Sequence, residues 1–262
     1  STSFAKGVIT KPSTLHINYC HTPTRYLWLD TAKHVAEFPA PRFARWFIPF
    51  ALNYLRLWDI EAASRVDYFI ANSCCVAGRI RKFYHREARV IYPPILTSRF
   101  SIGGPPENFY LMVARMLPYK RFDIAIEAFN ELDYPLKIIG DGPERRRLER
   151  MAGRTIEFVG LVSDATLRWH YQHAAALVYP GEEDFGMAPV EAMACGRPVI
   201  AYRAGGALET VVEGVSGAFF DEQTPAAIAA AVRRAERMTF NPARIREHAL
   251  QFDAEIFKQE FR

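Results

Sequence analysis

The chain has 262 residues, of which 50% are hydrophobic and 24% are charged. This composition is that of an ordinary globular protein, and it excludes a disordered chain, which has too few apolar residues to form a core. Gly and Pro occur without a period, which excludes a collagen-like chain. No stretch approaches the ~20 consecutive apolar residues of a membrane-spanning helix. The first six residues lack the basic-then-apolar layout of a signal peptide.

The net charge of +4 is unevenly distributed. Residues 1–107 carry 14 basic and 7 acidic side chains, whereas residues 108–262 carry 19 and 22. This asymmetry indicates two units with different partners: the basic part either faces an anionic membrane or substrate, or carries ordinary solubilising charge. The cysteines have no CxxC spacing for zinc and are expected to be reduced cytosolic thiols. The four cysteines are Cys20, Cys74, Cys75 and Cys195.

The first part of the chain is predicted to contain few regular elements. Strands are predicted at residues 16–20, 66–70 and 89–92, and helices at residues 43–63, interrupted by Pro49, and 76–84. Three strands are few for a domain of this length. Residues 101–106 are rich in Gly and Pro and are predicted to form a linker.

The second part alternates strands and helices. Strands are predicted at residues 109–113, 136–139, 156–159, 175–179, 198–201 and 217–220. Helices are predicted at residues 122–132, 144–151, 164–172 with Ser163 as N-cap, 187–194 and 225–237. Such alternation predicts right-handed βαβ units and a parallel sheet covered on both faces, with ligands at the carboxyl ends of the strands.

The loop after the first of these strands contains two cations. Arg115 and Lys120 would lie beside the amino end of the next helix, where phosphate groups bind. Arg can bind two phosphate oxygens at once, and Lys supplies a point charge. The alternative is a pair of ordinary surface cations, but their position after a core strand favours an anion site.

Two glutamates, Glu183 and Glu191, are separated by seven residues around the start of a predicted helix. Gly186 and Met187 lie at that start, where free backbone N–H groups would receive a diphosphate. Glu191 would accept hydrogen bonds from a ribose diol, and Glu183 would meet a sugar. The alternative is a solvated acidic loop that caps the helix dipole. Together with the cation loop, the spacing favours a binding site.

The histidines are weaker signals. His21 follows a predicted strand, but a lone histidine is more often structural than catalytic. His16 and His34 are weaker candidates still. His170 and His173 lie one helical turn apart, yet no third ligand accompanies them, so we interpret both as surface or structural residues. The sequence contains neither a serine triad nor a metal-ligand cluster.

These motifs, in this order, resemble the retaining glycosyltransferases of family 4, and they cover essentially all of residues 108–240. They are residues 115–120, Gly140–Pro143, 158–160, 180–186, 191–196, 198–201 and 205–206. The resemblance implies an α/β GT-B fold with two Rossmann-like domains, here a complete carboxyl-terminal domain and an incomplete amino-terminal one. Residues 4–8 and 19–28 are similar to the branch containing bacterial O-antigen and exopolysaccharide mannosyltransferases.

The resemblance assigns roles residue by residue. Arg115 and Lys120 match the cations that hold the donor diphosphate. Glu183 and Glu191 match the EX7E pair, the first near the donor sugar and the second at the ribose. His21 matches a histidine that faces the donor sugar, so the implied catalytic set is His21, Glu183, Lys120 and Arg115. The further donor-binding residues are Gly140, Asp141, Gly142, Val162, Phe185, Gly186, Met187 and Ala188, with Ser73 as an additional candidate.

The implied function is transfer of mannose from GDP-mannose, with retention, onto a lipid-linked or saccharide acceptor in surface polysaccharide or lipopolysaccharide synthesis. The location would be cytoplasmic, peripheral at the membrane face. No metal is expected, because the sequence has no Asp-x-Asp motif. One alternative is a UDP-sugar donor, and another is a donor-binding subunit that is inactive alone. Nucleic-acid binding is disfavoured, because no helix-turn-helix, zinc or RNA-recognition signature is present.

The domains expected from the resemblance are residues 1–103, 104–245 and a segment 246–262 that crosses back to the first domain. Relatives usually have further residues before Phe4. We therefore expect a fragment, a processed product or one half of a two-chain enzyme with a complementary amino-terminal chain. The amino-terminal sheet would expose an edge. Donor binding is expected to survive this truncation.

Residues 43–58 combine aromatic side chains with arginines, a layout typical of an interfacial helix on anionic lipid. The preferred interpretation is instead a core helix whose aromatic side chains pack inward. The residues concerned are Phe43, Trp46, Phe47, Phe50, Tyr54 and Trp58, with Arg42, Arg45 and Arg56.

Overall fold

A computed structural model describes residues 3–29, 31, 35 and 46–262. The chain divides into two compact units, Ser1–Tyr92 and Pro93–Arg262. The boundary predicted at residues 103 and 104 falls within the second unit. His34, Arg42, Phe43 and Arg45 lie outside the described residues.

The first unit contains a parallel sheet in the order β1-β2-β3. Its strands are Ile17–Cys20 (β1), Tyr68–Ala71 (β2) and Ala88–Val90 (β3). Its fully described helices are the 3₁₀ turn Phe4–Gly7, Arg25–Trp28, Ile48–Ser64 and Cys74–Tyr84. Alternate residues of β1 and β2 are buried, and Val76 and Ile80 of the last helix pack against them.

Pro49 begins a helix rather than interrupting one. It lies in the first turn of Ile48–Ser64, where a missing N–H removes no helical hydrogen bond. The aromatic side chains around this start are largely exposed, so the core-helix interpretation is wrong for them. The exposed fractions are 82% for Trp46, 70% for Phe47, 76% for Phe50 and 70% for Tyr54. The buried face of the helix lies near its other end, at Asp59, Ala62 and Ala63.

A buried carboxylate ties the elements of the first unit together. Asp59 is 1% exposed and pairs with Lys6 Nζ at 2.5 Å. It also accepts hydrogen bonds of 2.8 Å from Thr24 Oγ1, Trp28 Nε1 and Tyr84 Oη. These partners come from separate segments, so a single side chain connects the first turn of the unit to its long helices.

The second unit is a six-stranded parallel sheet in the order β6-β5-β4-β7-β8-β9. Its strands are Tyr110–Val113 (β4), Leu136–Ile139 (β5), Ile156–Gly160 (β6), Leu177–Tyr179 (β7), Val199–Tyr202 (β8) and Gly217–Phe220 (β9). This is the doubly wound order, whose direction of winding reverses between β4 and β7. The predicted α/β class with a parallel sheet is confirmed.

Helices cover this sheet, and most of them were predicted. The helices are Phe122–Leu132, Arg145–Met151, Asp164–His173, Met187–Ala194, Ala207–Thr210, Pro225–Glu236, Pro242–Leu250 and Ala254–Glu260. Ser163 is the N-cap of the third, as predicted, since its Oγ accepts from Thr166 N at 3.2 Å. In the described ranges, no helix is both long and apolar enough to cross a membrane.

The segment before the last helix is anchored within the second unit. Ile95 N donates to Phe252 O, and Ala254 N donates to Ile95 O, both at 3.0 Å. Phe252 is 2% exposed and packs edge-on against Phe185, with ring centroids 5.5 Å apart. These contacts hold the end of the chain against the segment that follows the unit boundary.

Candidate functional site

The predicted site residues of the second unit converge on the carboxyl edge of its sheet. Arg115 and Lys120 follow β4, and the segment 180–186 follows β7, the two strands at which the winding reverses. In a doubly wound fold this reversal opens a crevice in which ligands bind. Parallel topology therefore brings together two loops that are far apart in the sequence.

Lys120 and Glu183 form an ion pair across these two loops. Lys120 Nζ contacts Glu183 Oε1, and the side chains are 17% and 16% exposed. Gly181 permits the approach, because a Cβ there would lie 2.9 Å from Lys120 Cα. The sequence placed both residues at the site without indicating that they pair.

The backbone of Glu183 is fixed by the loop after β8. Gly206 N donates to Glu183 O at 2.8 Å. A Cβ at Gly206 would lie 2.3 Å from Phe185 Cα, so only glycine fits this approach. The Gly205-Gly206 motif thus holds the segment that presents Glu183.

Gly186 directs the chain into the helix Met187–Ala194. Its φ of 92° lies in the left-handed region, and a Cβ there would lie 2.7 Å from Tyr179 Oη. Gly186 provides no side-chain cap, and Met187 at the first helical position is 51% exposed. The first backbone N–H groups of a helix have no intrahelical partner, and with the helix dipole they favour an anion.

Glu191 lies one turn inside that helix and is held by a tyrosine. Tyr171 Oη donates to Glu191 Oε2 at 2.8 Å, and the Tyr171 side chain is completely buried. Burial raises the pKa of Glu191, while the Tyr171 hydrogen bond and the Arg99 charge partly oppose this rise. Burial and the nearby Glu191 charge hold the pKa of Tyr171 well above its ordinary value, so its phenol remains a proton donor.

A cavity of about 600 Å³ opens beside β4 and β5 at the same edge. Gly140 shapes it, since a Cβ there would lie 2.1 Å from Ala114 O and its φ is 130°. Met116 N donates to Asp141 O at 2.9 Å and joins the two loops. The predicted donor-binding residues that line the cavity are Arg115, Gly140, Asp141, Gly142 and Val162. The volume suits a nucleoside-sized group.

The candidates of the first unit occupy different environments. His21 is exposed at the end of β1, and its ring packs edge-on against Tyr19 with centroids 5.4 Å apart. Ser73 is buried and caps the helix Cys74–Tyr84, since its Oγ accepts from Val76 N at 3.1 Å. Helix capping is thus a structural reason for serine at this position.

Two further histidines, His170 and His173, contact backbone carbonyl groups. His170 Nδ1 lies 2.8 Å from Thr166 O, and His173 Nδ1 lies 2.7 Å from Trp169 O, each within its own helix. His16 is 7% exposed. Over the described residues, no group of three or more His, Cys, Asp or Glu side chains is placed to hold a metal ion.

Sequence reasoning missed Tyr171, and it included Gly181 in the loop 180–186 without predicting its role. A buried aromatic residue on a helix is ordinarily part of the core, so Tyr171 carries no distinctive signal. Gly181 sits in a loop whose approach to Lys120 depends on the tertiary structure. The meeting of loops at the carboxyl ends of parallel strands could have indicated the approach of Gly181 to Lys120, but not Tyr171, which lies on a helix.

Comparison with known proteins identifies the family of this chain and several relatives. The family model for glycosyl transferases group 1 matches residues 97–252. An uncharacterized glycosyltransferase of Methanocaldococcus jannaschii, MJ1178, is 37% identical over 169 residues, covering 63% of this chain and 48% of the relative. A GDP-mannose-dependent alpha-(1-6)-phosphatidylinositol dimannoside mannosyltransferase of Mycobacterium tuberculosis is 36% identical over 161 residues, covering 58% and 41%. The chain spans about half the length of the curated relatives it matches.

Solved structures extend the likeness to both units. The crystal structure of Anabaena Alr3699/HepE in complex with UDP and glucose has a TM-score of 0.73 and 20% sequence identity. The match covers 94% of this chain and 76% of that one. At this identity the likeness shows the fold, and the predicted GT-B fold with two Rossmann-like sheets is confirmed.

Proposed function

Since the chain belongs to the glycosyl transferases group 1 family, we propose that it transfers mannose from GDP-mannose, with retention, in surface polysaccharide synthesis. The acceptor is a lipid-linked or saccharide molecule. The GDP-mannose donor is supported by the relative named as GDP-mannose-dependent. The structure containing UDP and glucose keeps a UDP-sugar donor as the second candidate.

The observation that carries this proposal is the Lys120–Glu183 ion pair beside the first turn of Met187–Ala194. Without donor, Lys120 neutralises the Glu183 carboxylate. A bound diphosphate would compete for the ammonium group, with Arg115 and the helix N–H groups on its other oxygens. Cleavage of the glycosyl–phosphate bond places negative charge on the leaving diphosphate. Donors already in place stabilise such charge, and losing one typically costs about 10²–10³ in rate.

The carboxylates and His21 receive the remaining roles. Glu191 accepts hydrogen bonds from the ribose hydroxyls, and Glu183 faces the donor sugar. His21, exposed at the end of β1, keeps the role that the family resemblance implies for it. We propose that the reaction proceeds without a metal, because the Lys120 and Arg115 charges supply the compensation that a divalent cation would otherwise give.

Calorimetric binding of GDP, GDP-mannose, UDP and ADP, with Mg²⁺ and with EDTA, tests the proposal. We expect GDP-selective binding that EDTA leaves unchanged and that Lys120→Ala weakens about 10- to 100-fold, as for a hydrogen bond to a charged group. Lys258→Ala is the matched control, because Lys258 also pairs with a glutamate, Glu255, at 2.6 Å on the last helix. UDP-selective binding would overturn the GDP-mannose assignment. Absence of nucleotide binding by the folded chain would favour the inactive-subunit alternative.

We also propose that the first unit contacts an anionic membrane surface. The support is the row of exposed aromatic side chains at Trp46, Phe47, Phe50 and Tyr54, together with the basic excess of residues 1–107. Amphipathic helices bind membranes through buried apolar area and attraction to anionic lipid. A transferase held there would meet a lipid-linked acceptor directly.

A further inference from the structure

Tyr171 and Glu191 form a buried contact that the proposed reaction has not yet used. Tyr171 lies on the helix Asp164–His173, and its side chain is fully buried. Phe100 packs edge-on against it, with ring centroids 6.1 Å apart. Burial and this contact restrict the phenol, whose oxygen lies 2.8 Å from Glu191 Oε2. The donor of this hydrogen bond is therefore held in place before any ligand arrives.

Such a contact fixes the direction of a carboxylate. A carboxylate accepts through two oxygens, and a donor that occupies one of them limits rotation of the group. The phenol is neutral and can only donate to an ionised carboxylate, so it favours the ionised form of Glu191. The same carboxylate is the group assigned to the ribose under the proposed function.

We propose that Tyr171 is a positioning residue, whose phenol holds Glu191 Oε2 so that Oε1 accepts hydrogen bonds from the ribose hydroxyls of the donor nucleotide. The inference rests on the proposed function, because it needs a nucleotide at this edge of the sheet. Its consequence is selectivity, since Tyr171 strengthens binding only of nucleotides that carry ribose hydroxyls.

The second unit offers a matched control. Tyr110 Oη donates to Glu236 Oε1 at 3.2 Å, and Tyr110 is 5% exposed. Tyr110 is the first residue of β4 and so lies at the amino edge of the sheet, opposite the candidate site. Tyr110→Phe therefore removes a comparable Tyr–Glu hydrogen bond without touching the nucleotide.

The test is calorimetric binding of GDP and UDP, and of their 2′,3′-dideoxy forms, to the full chain and its variants. Tyr171→Phe should weaken the better-bound ribonucleotide about three- to tenfold, the value of one hydrogen bond, and leave the dideoxy form unchanged. Tyr110→Phe should change neither. The ratio of the two affinities within each variant does not depend on the folded fraction, so a loss of stability cannot imitate the effect.

A double-mutant cycle with Glu191→Ala completes the test. Once the carboxylate is removed, Tyr171→Phe should have no further effect on ribonucleotide affinity. Equal discrimination between ribose and dideoxyribose by Tyr171→Phe and the wild type would overturn the inference while leaving the proposed function intact. Failure of the wild type to bind any nucleotide would overturn the proposed function itself.

Discussion

Lys120 and Glu183 stabilise each other before any donor binds. Replacing Lys120 by Ala leaves the Glu183 carboxylate largely buried without its cation. A fully buried pair loses ~3–5 kcal/mol in this way, and the partial exposure here reduces the expected loss to about 1–2 kcal/mol. Urea denaturation should show this loss, and Glu183→Gln in the same background should recover part of it. Lys258→Ala, at an exposed pair, should change stability little; equal losses at the two lysines would contradict the assignment.

Glu191 should make stability depend on pH. Its pKa is raised in the folded chain, above the ordinary value of 4.5, so the folded state holds the proton longer than the unfolded state. Stability is therefore lost as pH rises from that value through the folded pKa. Glu191→Gln keeps an acceptor for Tyr171 but does not titrate. In thermal denaturation, the Tm of Glu191→Gln relative to that of the wild type should increase from acidic to neutral pH. A Tm difference that is the same at every pH would show that the pKa of Glu191 is not the cause.

At the scale of elements, the Asp59 carboxylate connects the helices of the first unit to one another. Asp59→Ala leaves the Lys6 ammonium buried without a counter-charge and three hydrogen-bond donors without their acceptor. We expect the first unit to lose about 3–5 kcal/mol, measured by hydrogen exchange of β1 and β2. Glu61→Ala on the same helix is the control, because its pair with Arg65 is exposed and is worth at most ~1 kcal/mol.

The helix Ile48–Ser64 should determine membrane binding. Trp46→Ser combined with Phe47→Ser removes two exposed aromatic side chains at its start. In flotation with anionic vesicles, this variant should remain in the soluble fraction when the wild type floats. Phe261→Ser, at an exposed aromatic residue near the carboxyl terminus, should float like the wild type. Unchanged flotation of the double variant would contradict the proposed membrane contact.

The bounds of some elements could be predicted from the sequence to the exact residue, whereas other elements were not predicted at all. Phe122–Leu132 and Met187–Ala194 were predicted with correct bounds, because helical periodicity marks the first and the flanking Gly186 and Gly196 mark the second. Ala207–Thr210 and Arg25–Trp28 are single turns stabilised by packing, which no local pattern records. Periodicity marked the aromatic face of Ile48–Ser64 without showing which face is buried.

The candidate site also has a part that could be predicted from the sequence and a part that could not. Arg115, Lys120, Glu183 and Glu191 were predicted because the ends of parallel strands share one edge, which strand order alone implies. The Lys120–Glu183 pair and the Tyr171–Glu191 hydrogen bond depend on the close approach of loops and helices distant in sequence. Such contacts arise from tertiary packing. The sequence therefore predicted which residues form the site but not the contacts between their side chains.

For the whole molecule, the proposed functions give the two units separate tasks. The motifs that we propose bind the donor lie in the second unit, whereas the exposed aromatic row lies in the first. A ligand stabilises the part of a protein that binds it, by ~2.7 kcal/mol at one hundred times its Kd. Donor binding should therefore stabilise mainly the second unit.

Hydrogen exchange with and without GDP tests this division. GDP should slow exchange most in the loops after β4, β5 and β7 and in the first turn of Met187–Ala194, because their backbone groups border the candidate site. Lys120→Ala should reduce this protection at a fixed GDP concentration, whereas Lys258→Ala should preserve it. Protection centred on β1–β3 instead would place the nucleotide in the first unit and contradict the assignment of Arg115, Lys120 and Glu191.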